Sequence, residues 1–435
     1  MEENFRSDAR IVLAADRFIQ KNTLRHEKHM KAARKPASDI REISLRSRKA
    51  QYTYLAKLAE GCTSQTAILY RDNECILPLV DLLERNGIPY QMRNAELSFF
   101  SHRTILDIIN IIKLAQNPMD TEAFLQIYYK IGTYLRKQDA IRIARISEEK
   151  RIPVLDVAAE DSDLNGHVLG SVRSMRTHLQ NLLQDSGERA IYRIMQFMGY
   201  QEYLNRSGLS DSKLEILRIL GSRADSPMEL AERLEQLKVL IREKEPDRKC
   251  PLILSTIHAS KGLEYDSVYL IDVADGILPE SIPQNLHQAS AEELKAYEEE
   301  RRLFYVGVTR AKDHLTLFTT NRPSTFCSEF LGKSSVTEEG RKNLMPVESR
   351  ISRTFKQARP YAAVAGIRQT KASEELYFRL KEELGTGVIV EHKKYGEGVV
   401  TQLDDRLVHI MFQDDTLRMM DLKILANAGL LKVKK

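Results

Sequence analysis

Tryptophan is absent from this chain of 435 residues, and cysteine occurs only four times. Cys62, Cys75, Cys250 and Cys327 lie far apart, with no C-x-x-C pair. That argues against a zinc ribbon or a disulfide framework and suits a reducing compartment. No apolar run approaches the ~20 residues a membrane helix needs, and the charged first residues have no signal-peptide core. A cytoplasmic protein with no membrane partner is expected. Also missing is any G-x-x-x-x-G-K-[ST], the loop that cradles phosphates and presents a lysine and a metal-binding hydroxyl. No strand candidate ends in a D-E pair suited to Mg²⁺. The H-E-x-H at His26–His29 is one residue short of the i, i+4 spacing that puts two zinc ligands on one helix face, so no metal site is expected. Repeats and low-complexity tracts are absent too. Charge of one sign barely dominates: 66 Lys and Arg against 61 Asp and Glu, a net +5 that permits nucleic-acid contact without requiring it.

What is present is an ordinary globular composition, 42% apolar and 29% charged, long enough for a sizeable core. Residues 1–113 alternate helix-like and strand-like patterns. Thr66–Tyr70 is a buried-strand run, Ile76–Asn86 an amphipathic helix stopped by Gly87, and Ile88–Met92 the next strand. Residues 114–249 are almost all helical in pattern. Their clearest helix opens at Ser226-Pro227-Met228-Glu229, a cap, a first-turn proline and the acid of a capping box; Leu230, Leu234, Leu237 and Ile241 share its apolar face. From 250 to 331 the alternation resumes, with strands at Leu252–Ile257, Ser267–Val273 and His314–Thr319 and a helix at Ala291–Val306. Helix–strand alternation on both sides of a helical block implies one α/β domain carrying a helical insertion. Residues 332–384 read as a basic linker. Residues 385–435 read as a small β-barrel of alternating strands at Val388–His392, Gly398–Leu403, Leu407–Phe412 and Thr416–Asp421.

Three stretches carry chemistry: Glu2-Glu3-Asn4-Phe5-Arg6-Ser7; Thr256-Ile257-His258-Ala259-Ser260-Lys261-Gly262-Leu263-Glu264-Tyr265; and Glu299-Glu300-Arg301-Arg302-Leu303-Phe304-Tyr305-Val306-Gly307-Val308-Thr309-Arg310-Ala311-Lys312. Each alone admits a plain reading: Arg6 as a surface arginine, Glu264 as a strand-end carboxylate, Arg310 as a helix-end cation favoured by the macrodipole. In this order and spacing they resemble the C-terminal motor half of UvrD/Rep/PcrA-like superfamily 1 DNA helicases. The family patterns are L-E-x-N-[YF]-R-S, T-x-H-x-x-K-G-L-E-[FY] and E-E-R-R-L-x-Y-V-[GA]-[VI]-T-R-A. Leu69-Tyr70-Arg71-Asp72-Asn73 is similar to the family's L-Y-R-x-N, and Phe99–Asp107 to the segment after it. Val390-Glu391-His392-Lys393-Lys394-Tyr395-Gly396-Glu397-Gly398 resembles the C-terminal barrel of the PcrA/UvrD branch.

The resemblance implies a RecA-like parallel-sheet domain interrupted by an all-helical insertion and followed by an SH3/Tudor-like barrel. It implies the C-terminal portion of an ATP-dependent 3′→5′ DNA helicase, with ATP bound between two RecA-like domains. Arg6 and Arg310 then match the arginines that sense the γ-phosphate, Phe5 the aromatic on adenine, and Glu264 the acid on the ribose. Lys261 and Gly262 shape the same loop. Arg71, Asn73, Arg103, Thr256 and His258 match contacts to single-stranded DNA. The P-loop domain that would bring the Mg²⁺ carboxylates has no counterpart in the sequence, so this chain is expected not to hydrolyse ATP by itself. The expected partners are junction DNA, that missing P-loop domain and, through 385–435, RNA polymerase. The alternative is a non-catalytic module that binds DNA or polymerase through the barrel and basic linker. Two departures stand out. Glu280 follows Gly276-Ile277-Leu278-Pro279 where the family often has histidine, and Lys130-Ile131-Gly132-Thr133 replaces its G-I-G turn.

Overall fold

The computed structural model describes residues 3–23, 29–93, 98–245, 247, 249–283, 285–286, 288–322, 324–333, 384, 388–393, 395–403, 407–412, 417–421, 425 and 430–433. Two compact units divide the chain, Met1–Ser335 and Val336–Lys435.

The first unit is built on a six-stranded sheet. Its strands are β3 (Arg41–Leu45), β4 (Thr66–Tyr70), β5 (Gln91–Met92), β6 (Leu252–Thr256), β7 (Tyr265–Leu270) and β8 (Ala311–Thr320). A separate short parallel pair joins β1 (Glu3–Asn4) to β2 (Lys31–Ala32). The spatial order is β3-β8-β7-β4-β6-β5, and every pairing is parallel. Strands from before and after the helical block interleave, since β4 lies between β7 and β6.

Parallel strands with helices over both faces must be apolar on both sides. Thr66–Tyr70 and Leu252–Thr256 are buried at every position. Ile68, Tyr70, Leu252 and Leu254 face one core with the helices Arg48–Glu60, Leu77–Arg85 and Arg103–Gln116; Ala67, Leu69 and Ile253 face another with Ala9–Ile19 and Ala291–Val308. The first core runs on without a break into the helical block, where Leu230, Leu234, Leu237 and Ile241 are all buried.

Helix ends follow local chemistry. Ser226 accepts from the Glu229 N–H at 3.1 Å and caps Pro227–Glu243. The expected capping box does not close, because Glu229 reaches past Ser226 to the Asp225 N–H at 2.7 Å. Ser226→Ala should therefore cost about 1 kcal/mol, read as a lowered urea midpoint; an unchanged midpoint would show that the cap is dispensable. The helix Arg48–Glu60 and strand β3 escape the sequence reading. That helix buries Arg48 and Gln51 on its inner face, which blurs its apolar periodicity. Strand β7 begins two residues before the expected Ser267 and stops at Leu270, as Asp272 turns into the left-handed region (φ +55°). Strand β5 is limited to Gln91–Met92.

The second unit is an antiparallel sheet of β9 (Ile389–His392), β10 (Gly396–Leu403), β11 (Leu407–Phe412), β12 (Leu417–Asp421) and β13 (Leu431–Val433), in the order β12-β11-β10-β9-β13. It curls around Val390, Val400, Val408, Ile410, Phe412 and Leu431. Residues 334–383, most of the expected basic linker, lie outside the described residues, as does His26 of the H-E-x-H stretch. Among the described residues no group of three His, Cys, Asp or Glu side chains is placed to hold a metal ion, and no helix is long and apolar enough to cross a membrane.

Candidate functional site

The amino ends of β7 and β8 are neighbours, with Tyr265 opposite Ala311. Glu264 arrives there from the turn after β6, and Arg310 from the end of the helix Ala291–Val308. The chain's opening stretch is tied to the same edge. The Ser7 hydroxyl donates to the Ala311 carbonyl at 2.6 Å, and the Asp8 N–H to that of Lys312 at 2.8 Å. Asn4 Oδ1 accepts from the N–H groups of Arg6 (2.9 Å) and Ser7 (3.1 Å), a side-chain turn that fixes the backbone under Phe5 and Arg6. Arg34 donates to the Arg6 carbonyl at 2.6 Å.

Charged groups from three parts of the sequence meet here. Arg6 Nε donates to Glu264 Oε2 at 2.7 Å, and Lys312 Nζ lies 3.2 Å from Glu264 Oε1 and 3.7 Å from Asp266. The hydrogen bond from Arg6, then that from Lys312, holds the Glu264 carboxyl below its ordinary range. Arg310 is braced by uncharged oxygens: Nε donates to the Val306 carbonyl (3.0 Å), Nη1 to that of Leu263 (3.0 Å) and Nη2 to the Thr309 hydroxyl (3.2 Å). Burial, then repulsion from Arg6, lowers its pKa from the ordinary arginine value. Arginine stays protonated regardless. Two guanidiniums therefore stand close enough to repel, and among the described residues no carboxylate is bound to Arg310. Such an arrangement favours an incoming anion.

Phe5 is 67% exposed, an aromatic face open to a flat partner. Gly262 adopts φ +86° with open space where a Cβ would sit, so conformation selects glycine there. Its neighbour Lys261 is exposed.

Arg71, Asn73, Thr256 and His258 lie at the opposite edge. Tyr70 and Thr256 are paired at the carboxy ends of β4 and β6, and a strand of this length separates the two edges by roughly 15–20 Å. His258 is exposed, whereas Thr256 is almost buried and its hydroxyl accepts from the Ala259 N–H at 3.1 Å. Asn73 opens a short 3-10 turn. Arg71 is bound to three carboxylates, those of Glu300, Glu280 and Asp72, each at 2.7 Å. Arg103 stands apart, at the start of Arg103–Gln116, where it donates to the Tyr203 hydroxyl at 2.5 Å and lies near that of the half-exposed Tyr129.

A chain whose arginines from positions 6 and 310 converge on one edge invites comparison with known proteins. The UvrD-like helicase C-terminal domain matches residues 1–322. The chain belongs to that family. Similar proteins include the ATP-dependent DNA helicase Rep of Escherichia coli, 28% identical over 361 residues that make up 76% of this chain and 51% of Rep. DNA helicase II of Haemophilus influenzae is 24% identical across 93% of this chain and 57% of its own. The ATP-dependent DNA helicase PcrA of Staphylococcus epidermidis is 24% identical over 93% and 58%. The chain spans about half the length of the curated relatives it matches.

Three contributors to this UvrD-like site escaped the sequence reading: Asn4, Arg34 and Lys312. Lys312 had a signal, since 310 and 312 are two apart where a strand begins and so share a side. Asn4 is a fixed position of the L-E-x-N-[YF]-R-S pattern, but that pattern does not announce its bonds to the Arg6 and Ser7 N–H groups; Arg34, which also pairs with Asp313 at 2.5 Å, stands in none of the motifs. In the UvrD-like chain the Lys130-Ile131-Gly132-Thr133 turn is packed inside the helical block. The Gly132 N–H donates to the Met198 carbonyl at 2.8 Å, and Lys130 is buried against Asp107 at 2.5 Å.

Proposed function

We propose that this UvrD-like domain is the phosphate-sensing and strand-contacting portion of an ATP-dependent 3′→5′ DNA helicase, its sheet being a RecA-like lobe and its second unit an SH3/Tudor-like barrel. One observation carries the reading. Arg6, Glu264 and Arg310, from three separate stretches of sequence, share one sheet edge with an exposed Phe5 beside them.

The parts suit a nucleoside triphosphate. Phe5 offers its ring to adenine. Glu264 uses two of about four acceptor positions on Arg6 and Lys312 and keeps others for ribose hydroxyls. Arg6 and Arg310 bring fixed positive charge to the γ-phosphate, where phosphoryl transfer needs neutralisation and alignment more than covalent help. The sequence has no lysine-bearing phosphate loop, and in this reading a P-loop partner domain supplies the metal and the phosphate cradle. At the other edge His258 and Arg71, and further off Arg103 beside Tyr129, combine cations with flat rings, the pairing that single strands require. Nothing in the relatives or in the second unit supports the RNA polymerase partner expected of it.

The purified 435-residue chain should show no ATP turnover, because its sequence lacks the lysine-bearing loop. Combined with a P-loop domain in one protein, it should hydrolyse ATP in a manner stimulated by single-stranded DNA. Turnover by the chain alone, or turnover indifferent to DNA in the combined protein, would overturn the reading.

A further inference from the structure

The two edges of the sheet differ in charge. At the Arg6–Arg310 edge, Arg6, Arg310 and Lys312 outnumber Glu264 and Asp266. Around Arg71 the balance reverses: one guanidinium faces Asp72, Glu280 and Glu300. A cation meant to hold a DNA phosphate is thus surrounded by a carboxylate excess of two.

The three carboxylates are not equivalent. Glu300 lies on the helix Ala291–Val308, is 13% exposed, and grips the side of the guanidinium through Nε (3.2 Å) and Nη2 (2.7 Å). It also accepts from the Glu280 N–H at 3.2 Å, which anchors the turn after Pro279. The remaining end of the guanidinium, between Nη1 and Nη2, is the fork on which a phosphate would dock through two hydrogen bonds. Glu280 takes the Nη2 side of that fork and Asp72 the Nη1 side. Glu280 is 68% exposed and lies in a loop. It is the group most easily exchanged.

We infer that Glu280 is an affinity-setting residue: its carboxylate occupies the phosphate position on Arg71, and a single strand's phosphodiester must displace it to bind. Glu300 is the permanent brace and keeps Arg71 aimed whether or not the strand is present. Two internal anions cap the fork; the strand exchanges with the exposed Glu280 on the Nη2 side, beside Asp72 on the Nη1 side, and binding at this edge is correspondingly weak. The inference rests on the proposal that this edge contacts single-stranded DNA.

The test is a binding titration of the whole chain with a short fluorescent oligothymidylate, followed by anisotropy across a salt series. Glu280→Gln keeps the shape and removes the charge. It should bind about fivefold tighter at low salt, the effect of deleting one like charge some 4 Å from a phosphate in a near-aqueous setting. Glu280→Lys should bind tighter still and steepen the salt dependence by about one phosphate contact. Both gains should vanish in an Arg71→Lys background, because lysine lacks the fork. A Glu280 that only braced the loop would give the opposite sign, with weaker binding in both variants. Equal or weaker binding by Glu280→Gln, while Arg71→Lys still weakens the unmodified chain, overturns the affinity-setting role of Glu280 and leaves the DNA-contact reading intact. No oligothymidylate binding by the unmodified chain, with none gained in either Glu280 variant, overturns both.

Discussion

Replacing Arg310 with alanine, in an ATP-hydrolysing protein that contains this chain, is expected to lower kcat by about 10³-fold or more while nucleotide affinity changes little. The size follows from what a phosphate-sensing arginine contributes when it acts on charge that develops in the transition state. The selectivity for kcat follows from how Arg310 is held. Three of its nitrogens are already bonded to the Val306 and Leu263 carbonyls and the Thr309 hydroxyl, so its direction is set before nucleotide arrives. Preorganised charge of this kind acts mainly on the transition state. Lysine should not rescue it, since an ammonium cannot keep those braces and still reach forward. Steady-state hydrolysis with a separate nucleotide-binding titration is the measurement. A fall in affinity that accounts for the whole loss would make Arg310 a ground-state binder, and an unchanged kcat would remove it from catalysis.

The largest expected effect on stability lies elsewhere, at Asp272. Its carboxylate is 1% exposed and accepts from Arg48 Nε (3.0 Å), Arg48 Nη2 (2.6 Å) and Gln51 Nε2 (2.8 Å), while its own N–H donates to Gln51 Oε1 (3.1 Å). Asp272→Ala leaves a buried guanidinium whose nearest remaining carboxylate is Glu215 at 3.4 Å. Removing one partner of a buried pair costs about 3–5 kcal/mol. Urea unfolding should show a correspondingly lower midpoint. Pairing it with Arg48→Met should restore part of the loss, because no charge is then left unpaired. A single variant as stable as the parent would mean that water or Glu215 compensates Arg48 fully.

The motifs themselves were legible because each is a compact run. Arg6, Glu264 and Arg310 stand inside stretches whose residue order alone marks them. The buried strands β4 and β6 were legible for a similar reason: five apolar or small residues in a row, bounded by turns, have few alternatives in an α/β chain. Glycines at helix ends and the Ser226 cap act within a few residues and need no tertiary context. What stayed hidden was set by partners far away. The helix Arg48–Glu60 hides its amphipathicity because its inner face includes Arg48 and Gln51, whose partner Asp272 is more than two hundred residues on. The expected strand Ser267–Val273 stops short at Leu270 for the same reason, since those contacts draw Asp272 out of the strand.

By itself the amino-acid sequence determined that an α/β sheet is split by a helical block, and it marked the residues proposed for phosphate and strand chemistry. Periodicity and short motifs are local, and a linear string records them in full. Only the tertiary structure decided how those residues divide between two edges of one sheet. It alone revealed that Lys312 shares Glu264 with Arg6, and that Arg71 is capped by Glu280 across 209 residues of chain. Charge pairing depends on distance in space, falling off over a few ångströms, and strand order sets that distance independently of position along the chain.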